Sequence, residues 1–188
     1  MKTGFRLSNG GARETYEVIP DISTYAKSLG NGVPVAAFGG KSEVMNVIGG
    51  GSVAHAGTFG GNGVSMSAAN AVLDILNEAP VLKELSIRGQ KLKKGMDNIL
   101  DEVGIPHQMC GHPNIQGFLI TEHKVEEVRD LAYSDDAMYE KIMDHMFDRG
   151  VWVENDPREP WFLCAAQTDE IIDETLNVFH DSVKASLK

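Results

Sequence analysis

Most of the 20 glycines of this sequence lie before residue 64, and this clustering divides the chain into two parts of different character. Glycine adopts backbone conformations that other residues avoid, so a glycine-rich segment is typical of tight loops rather than of long regular elements. The later part has few glycines, and its apolar residues recur at helical spacing. The pattern predicts a loop-rich first part followed by a compact unit of helices and strands.

The length and charge of the chain exclude several classes of protein. Its 188 residues suffice for one domain or two small ones. A net charge of -10 gives no electrostatic reason to bind nucleic acid or an anionic membrane surface. No apolar stretch approaches membrane-spanning length, and nothing near Met1 has the pattern of a signal peptide. Cys110 and Cys164 form neither a disulfide framework nor a metal-ligand spacing, so we expect reduced thiols in a cytoplasmic protein.

The first part is expected to contain one strand and two helices. Val33–Phe38 is an apolar run of strand length, which we interpret as a buried strand. Residues 41–47 are expected to form a short helix. A longer helix is predicted over residues 64–76, where small residues accompany an apolar face. Pro80 is typical of the first turn of a further helix, which runs to about Glu102.

The second part is predicted to be a compact α+β unit. Strands are expected at residues 117–121, 151–153 and 161–165. Asp135 or Asp136 is a capping residue for a helix that runs to about Arg149. Thr168 caps the last helix in the same way. The buried face of that last helix is predicted to contain Ile171, Ile172, Leu176 and Phe179.

Two residues of the glycine-rich part have the chemistry of a cofactor site. Lys27 precedes Gly30-Asn31-Gly32, and a deprotonated lysine amine forms an imine with an aldehyde, including that of pyridoxal phosphate. Taken alone, a solvated surface charge is the commoner role of a lysine. Thr58 follows Gly57 and precedes a predicted helix, so its hydroxyl and the free N–H groups of the helix N-terminus suit a phosphate. A simple capping role is the alternative for Thr58.

The six histidines and the acidic pairs indicate no further site. No histidine has a helical partner four residues away, and no cysteine lies at zinc spacing. We therefore expect ordinary surface or packing roles for the histidines and no metal site. The acidic pairs are expected at helix starts or on solvated faces.

Three segments, taken together, resemble the class III pyridoxal-phosphate-dependent aminotransferases, most closely the branch that contains glutamate-1-semialdehyde aminomutase. The stretch Pro20–Gly40, with Lys27 at its centre, resembles the Schiff-base lysine segment of that family. His55–Asn62 is similar to the family's second signature, Gly-Thr-x-x-Gly-Asn. Residues 162–176 are similar to the last strand and helix of the same branch. The likeness therefore spans the chain in the order that the family has.

The resemblance implies a fold and a set of roles. The fold is α/β, the C-terminal part of the type I pyridoxal-phosphate aminotransferase fold. Residues 1–78 would belong to the cofactor-binding large domain, 79–103 to a connecting helix and 104–188 to the small α+β domain. Lys27 matches the lysine that binds pyridoxal 5′-phosphate as a Schiff base and moves the proton between substrate and cofactor. Thr58 matches the threonine that binds the cofactor phosphate, in the family across the interface of a homodimer.

The resemblance also implies that part of the family's site lies outside this sequence. Lys2–Arg6 resembles the residues that directly follow the aspartate paired with the cofactor's pyridine nitrogen. That aspartate makes the ring an electron sink. The upstream phosphate loop and the stacking aromatic residue of the family also have no counterpart here. We therefore expect an N-terminally truncated piece that binds the cofactor weakly, with apolar surface near residues 33–38 left without neighbouring strands.

Three functions stay open at this stage. An aminotransferase would move an amino group between an amine or amino acid and an aldehyde or keto acid. A glutamate-1-semialdehyde 2,1-aminomutase would use the same lysine, and Thr58-Phe59, where the aminomutases more often have Thr-Leu, favours the transaminase only slightly. The third alternative is an inactive fold remnant that acts only in self-association. Small molecules and a second copy of the chain are the expected partners, rather than nucleic acid or a membrane.

Overall fold

The chain divides into two compact units, Met1–Leu82 and Lys83–Lys188. The computed structural model describes the backbone of all 188 residues and the burial of every residue except Gly49. The three-part division that the resemblance implies, with its separate connecting helix, stays a prediction. Each unit is described by itself below.

The first unit is built around a two-stranded antiparallel hairpin. Its elements are α1 (Ala12–Thr15), β1 (Ile22–Tyr25), a 3-10 turn (Lys27–Leu29), β2 (Ala37–Gly40), α2 (Ser42–Gly49) and α3 (Gly63–Glu78). The strands pair from Ile22 with Gly40 to Tyr25 with Ala37, so the hairpin loop carries Lys27. The helices α2 and α3 confirm the two that the sequence predicts in this part.

The buried strand expected over Val33–Phe38 is wrong in position and in burial. The strand begins only at Ala37, and Phe38 is 42% exposed. In the described part of the chain, β2 pairs with β1 and with no other strand. The resemblance places this segment in a parallel sheet, whose strands are normally buried by their neighbours. Here β2 has only the antiparallel β1 beside it and stays exposed. The exposed apolar surface that the resemblance implied near this segment is therefore present.

The second unit is an antiparallel sheet with long helices. Its elements are α4 (Val81–Glu102, which starts just before the unit), β3 (His107–His112), β4 (Ile115–Ile120), a 3-10 helix (Val128–Tyr133), α5 (Asp136–Phe147), β5 (Trp161–Phe162) and α6 (Asp169–Ser186). The strand order is β3-β4-β5, and every residue of β4 is buried. Both predicted caps are confirmed: Asp135 accepts the N–H of Met138 at 3.0 Å, and Thr168 accepts that of Ile171 at 3.4 Å.

The main hydrophobic core lies in the second unit. The ring of Phe118 on β4 contacts those of Tyr139, Trp161 and Phe179, with centroids 5.0 to 6.3 Å apart. The apolar face of α4 is buried at Leu85, Leu92, Met96 and Leu100. In the first unit, the buried apolar side chains are those of Leu7, Leu29 and Ala69. Each fully buried large apolar side chain contributes about 1.5–3 kcal/mol to the free energy of unfolding. Burial therefore stabilises the second unit far more than it stabilises the first.

Two of the strands predicted in the second unit are corrected. Residues 151–153 form no strand, and Trp152 is 85% exposed. Its ring lies edge-on against that of Phe147, with centroids 6.4 Å apart. The strand predicted at 161–165 is reduced to the two residues Trp161 and Phe162, which pair with the start of β4. A short apolar run therefore does not form a strand where no neighbouring strand offers hydrogen-bond partners.

The buried face of α6 is narrower than predicted. Ile172 and Phe179 are buried at 1% and 0% exposure, whereas Ile171 is 42% exposed. Successive residues of a helix point about 100° apart, so Ile171 and Ile172 do not both face the core. The strand β3 has no counterpart among the sequence predictions.

Candidate active site

Lys27 begins a strained turn in the hairpin loop. Its φ of +54° lies in the left-handed region, which residues other than glycine rarely adopt. The turn is closed by the N–H of Leu29, which donates to the Ala26 carbonyl at 3.2 Å, and by that of Gly30, which donates to the Lys27 carbonyl at 3.2 Å. Strained backbone of this kind is concentrated at functional sites. Phe5, Glu17 and Asn31 also have a positive φ, so this conformation alone does not single out Lys27, whose functional role stays a prediction.

The residues that follow Lys27 fix the turn. Leu29 is 6% exposed, and the 3-10 turn packs against α3. Gly30 has no room for a side chain, because a Cβ there would clash with the Val33 carbonyl and the Val35 side chain. The turn is thus anchored by its neighbours, while the Lys27 side chain itself is exposed.

Thr58 lies in an exposed turn directly before α3. The N–H of Gly60 donates to the Gly57 carbonyl at 2.9 Å, which closes the turn around Thr58. Asn62 caps the helix, since its side-chain oxygen accepts the N–H of Ser65 at 3.2 Å. The Thr58 loop therefore precedes the end of α3 at which helix N–H groups and the helix dipole favour an anion.

The amine and the hydroxyl of the two predicted residues are both available for a ligand. Within the described part of the chain, neither the Lys27 side chain nor that of Thr58 has a hydrogen bond or an ion pair. Lys41, by contrast, lies 2.6 Å from Asp21 at the base of the hairpin. An available amine and an available hydroxyl near a helix N-terminus fit the aldehyde and the phosphate of pyridoxal phosphate. The structure brings both residues into one unit, and both are exposed.

Two contacts connect the hairpin segment with the residues on either side of the Thr58 loop. The rings of Phe38 on β2 and His55 lie 5.0 Å apart at an angle of 78°. Ser65 on α3 donates from its hydroxyl to the Pro34 carbonyl at 2.9 Å. The sequence predicts an ordinary role for His55 and does not mark Ser65 as a site residue. The signal for Ser65 is its place four residues before the buried Ala69, on the same helix face.

The described residues give little support to a metal site, a reactive cysteine or a membrane-spanning helix. Among the residues whose placement is described, no group of His, Cys, Asp and Glu could hold a metal ion. Burial raises the pKa of the Cys110 thiol, which opposes formation of the nucleophilic thiolate. Within the same residues, no helix combines the length and the apolar character that crossing a membrane requires.

The chain matches known proteins along its whole length. A sequence model of the family described as aminotransferase class-III matches residues 1–183. The glutamate-1-semialdehyde 2,1-aminomutase of Aquifex aeolicus is 37% identical over 183 residues, which cover 97% of this chain and 43% of that protein. The chain thus spans less than half the length of the curated relatives it matches.

Solved structures of the same kind share the fold. An omega-transaminase from Sphaerobacter thermophilus superposes with a TM-score of 0.87 at 23% identity, covering 100% of this chain and 43% of that one. A glutamate-1-semialdehyde aminomutase from Pseudomonas aeruginosa, in complex with PMP, superposes with a TM-score of 0.84 at 16% identity, covering 97% and 43%. The α/β fold class is confirmed as part of the pyridoxal-phosphate aminotransferase fold. Because the family model matches residues 1–183, the chain belongs to the class III aminotransferases.

Proposed function

We propose that this chain supplies the lysine and the phosphate-binding threonine of a site that transfers an amino group. The transfer runs between an amine or amino acid and an aldehyde or keto acid. Pyridoxal phosphate, when bound, supplies the aldehyde and the electron sink for this chemistry. The observation that carries the proposal is Lys27, which matches the family's Schiff-base lysine and begins a strained turn with its amine available.

The chain's own residues have distinct parts in this proposal. Lys27 would hold the cofactor covalently through its Nζ atom, and the same amine, when released, would move the proton from the substrate's Cα. The Thr58 hydroxyl donates to the phosphate, and the N-terminal end of α3 adds a favourable dipole. Neither part requires a metal ion.

We further propose a homodimer in which Thr58 contacts the cofactor of the neighbouring subunit. The surface beside Thr58 supports this assembly, because Phe59 is 82% exposed and Val64 is 73% exposed. Both residues lie near the N-terminal end of α3, and exposed apolar surface of this kind is typical of an interface. The chain's net charge and reduced thiols are in keeping with a cytoplasmic location, which we also propose.

An aminomutase is the second candidate function. The curated relative that is 37% identical is a glutamate-1-semialdehyde 2,1-aminomutase. The same lysine serves an aminotransferase and an aminomutase, since both move one proton and one amino group. The two functions differ in the substrate, because an aminomutase needs no separate amino acceptor.

Cofactor binding tests the proposal on the full chain. Titration with pyridoxal phosphate should produce a visible absorbance band that Lys27→Arg abolishes, since a guanidinium keeps the charge but does not condense with the aldehyde. Lys41→Arg is the matched control and should leave the band intact. An equal band in the Lys27→Arg chain would contradict the proposal.

The phosphate site has its own test. Thr58→Val should weaken binding of pyridoxal phosphate roughly tenfold, the effect of one hydrogen bond to a charged group. Binding of pyridoxal, which lacks the phosphate, should not change. Thr24→Val, on the exposed edge of β1, is the control. A loss of affinity that is equal for both ligands would contradict a phosphate contact.

Turnover separates the three functions. The assay contains the full chain, pyridoxal phosphate and, as a second polypeptide, the N-terminal part of a full-length class III aminotransferase. Conversion that requires both an amine and a keto acid identifies an aminotransferase. Conversion of glutamate-1-semialdehyde without an acceptor identifies an aminomutase. A stable oligomer that turns over neither substrate and shows no visible band identifies a fold remnant.

A further inference from the structure

A buried hydroxyl fixes the lysine loop to α3. Ser65 is 6% exposed, and its Oγ atom donates to the Pro34 carbonyl at 2.9 Å. Pro34 lies in the hairpin loop with Lys27, before the ladder of β1 and β2 begins at Ala37. Its carbonyl therefore has no partner in the hairpin, and the serine satisfies an acceptor that the sheet leaves open.

The same serine is tied to the Thr58 loop through its backbone. The N–H of Ser65 donates to the Asn62 side chain, which ends that loop and caps α3. The side chain of Ser65 thus binds one loop and its backbone binds the other. One residue joins the two loops that carry the proposed cofactor contacts.

The strained turn at Lys27 depends on support of this kind. A residue other than glycine keeps a positive φ only where its surroundings hold it there. Leu29 anchors the start of the loop by burial, and the hydrogen bond from Ser65 to Pro34 anchors its end. Without the second anchor, the loop can relax and Lys27 can return to an ordinary conformation.

We propose that Ser65 is a positioning residue for Lys27. Its hydroxyl holds the lysine loop against α3 and so fixes the place of the lysine amine. Ser65 acts on Lys27 only through the Pro34 carbonyl. This inference rests on the proposed function, because that function gives Lys27 its part in the site.

Hydrogen exchange of the full chain without cofactor tests the anchor. In Ser65→Ala, the hydrogen-bonded amides of Leu29, Gly30, Asn31 and Val33 should exchange roughly three- to tenfold faster, the effect expected from one net hydrogen bond. Ser65→Thr keeps a hydroxyl and should restore slow exchange. Ser67→Ala is the matched control, because Ser67 is exposed on the same helix. Its exchange should equal that of the unsubstituted chain.

Lysine labelling tests the positioning itself. Pyridoxal phosphate is fixed with borohydride, and the ratio of label on Lys27 to label on Lys41 is measured by mass spectrometry. Ser65→Ala should lower this ratio roughly threefold or more, and Ser65→Thr should restore it. If the first unit only became more mobile, labelling of Lys27 and of Lys41 would change together and their ratio would stay the same. A lower ratio therefore reports a change in the position of the Lys27 amine.

The outcomes separate the two proposals. If Ser65→Ala changes neither the exchange nor the labelling ratio, Ser65 is not a positioning residue, and the proposed function stands. Faster exchange with an unchanged ratio also overturns the positioning role. If Lys27 is never labelled above Lys41, even in the unsubstituted chain, the proposed function fails and the role of Ser65 toward the amine fails with it. Exchange then still decides whether Ser65 anchors the loop.

Discussion

Trp161 donates its indole N–H to the hydroxyl oxygen of Tyr139 at 3.0 Å inside the core of the Lys83–Lys188 unit. Tyr139 is 1% exposed and Trp161 is 7% exposed. The Tyr139 hydroxyl donates in turn to the Glu154 carbonyl at 3.4 Å. Both polar groups are therefore satisfied, which allows these large rings to be buried beside Phe118.

Removing the tyrosine hydroxyl should destabilise this unit. Tyr139→Phe leaves the Trp161 N–H buried without an acceptor, so we expect the free energy of unfolding to fall by about 1–3 kcal/mol. Urea denaturation followed by circular dichroism measures the change. Tyr133→Phe is the control, because Tyr133 is 57% exposed. Equal stability of the two variants would show that the hydrogen bond contributes nothing.

The same tyrosine should make stability depend on pH in the alkaline range. Burial, with smaller effects from Asp156 and Glu154, raises the pKa of Tyr139 from its ordinary 10.0 to about 12 in the folded state. The unfolded tyrosine then ionises first, so its contribution is complete below about pH 10 and is lost between about pH 10 and 12, at a cost of about 3 kcal/mol. The unfolding free energy at about pH 9 and 11.5 should fall more steeply in the unsubstituted chain than in Tyr139→Phe. Parallel pH profiles would contradict the expectation.

Two glycines of α4 should respond differently to the same substitution. A Cβ at Gly89 would lie 2.6 Å from the Pro113 carbonyl carbon, so backbone must move in Gly89→Ala. We expect a loss of about 1–3 kcal/mol in the free energy of unfolding. The nearest atoms to a Cβ at Gly95 belong to the Leu176 side chain, at 2.5 Å, and a side chain can rotate away more easily than backbone can move. The helix propensity of alanine, about 1 kcal/mol better, should offset that contact. Thermal unfolding of both variants measures the difference, and equal midpoints would contradict it.

The two units should differ in independent stability. The aromatic and aliphatic core runs from Leu85 to Val183, whereas the first unit exposes Ile19, Phe59 and Val64. We expect a chain of residues 80–188 to unfold cooperatively, because it keeps the whole core. Residues 1–79 alone should show no cooperative transition. Urea denaturation of the two pieces tests this, and a cooperative first piece would overturn it.

The parts of the fold that the sequence predicts well are those set by local chemistry. The sequence predicts Asp135 and Thr168 as caps, and both act as caps. A cap can be predicted because its side-chain oxygen accepts the N–H of a residue only three positions later in the chain. The glycine-rich turns and the burial of α4 are likewise readable from spacing. Lys27 and Thr58 were found through motifs, and their roles stay predictions.

The parts that the sequence predicts poorly depend on distant partners. β3 is rich in polar residues and has no β-branched residue, so nothing local marks it as a strand. Residues 151–153 are a short apolar run like that of a buried strand, but a strand forms only beside another. The positive φ of Lys27 is invisible in the sequence, because contacts such as that of Ser65 with Pro34 maintain it.

The most direct test of the central claim is to locate pyridoxal phosphate on the full chain after reduction with borohydride. Peptide mass spectrometry should find the added mass on Lys27, with little on Lys41 or the other lysines, and should find none at position 27 in the Lys27→Arg chain. Label spread over the surface lysines with no preference for Lys27 would contradict the claim that this amine forms the bond to the cofactor.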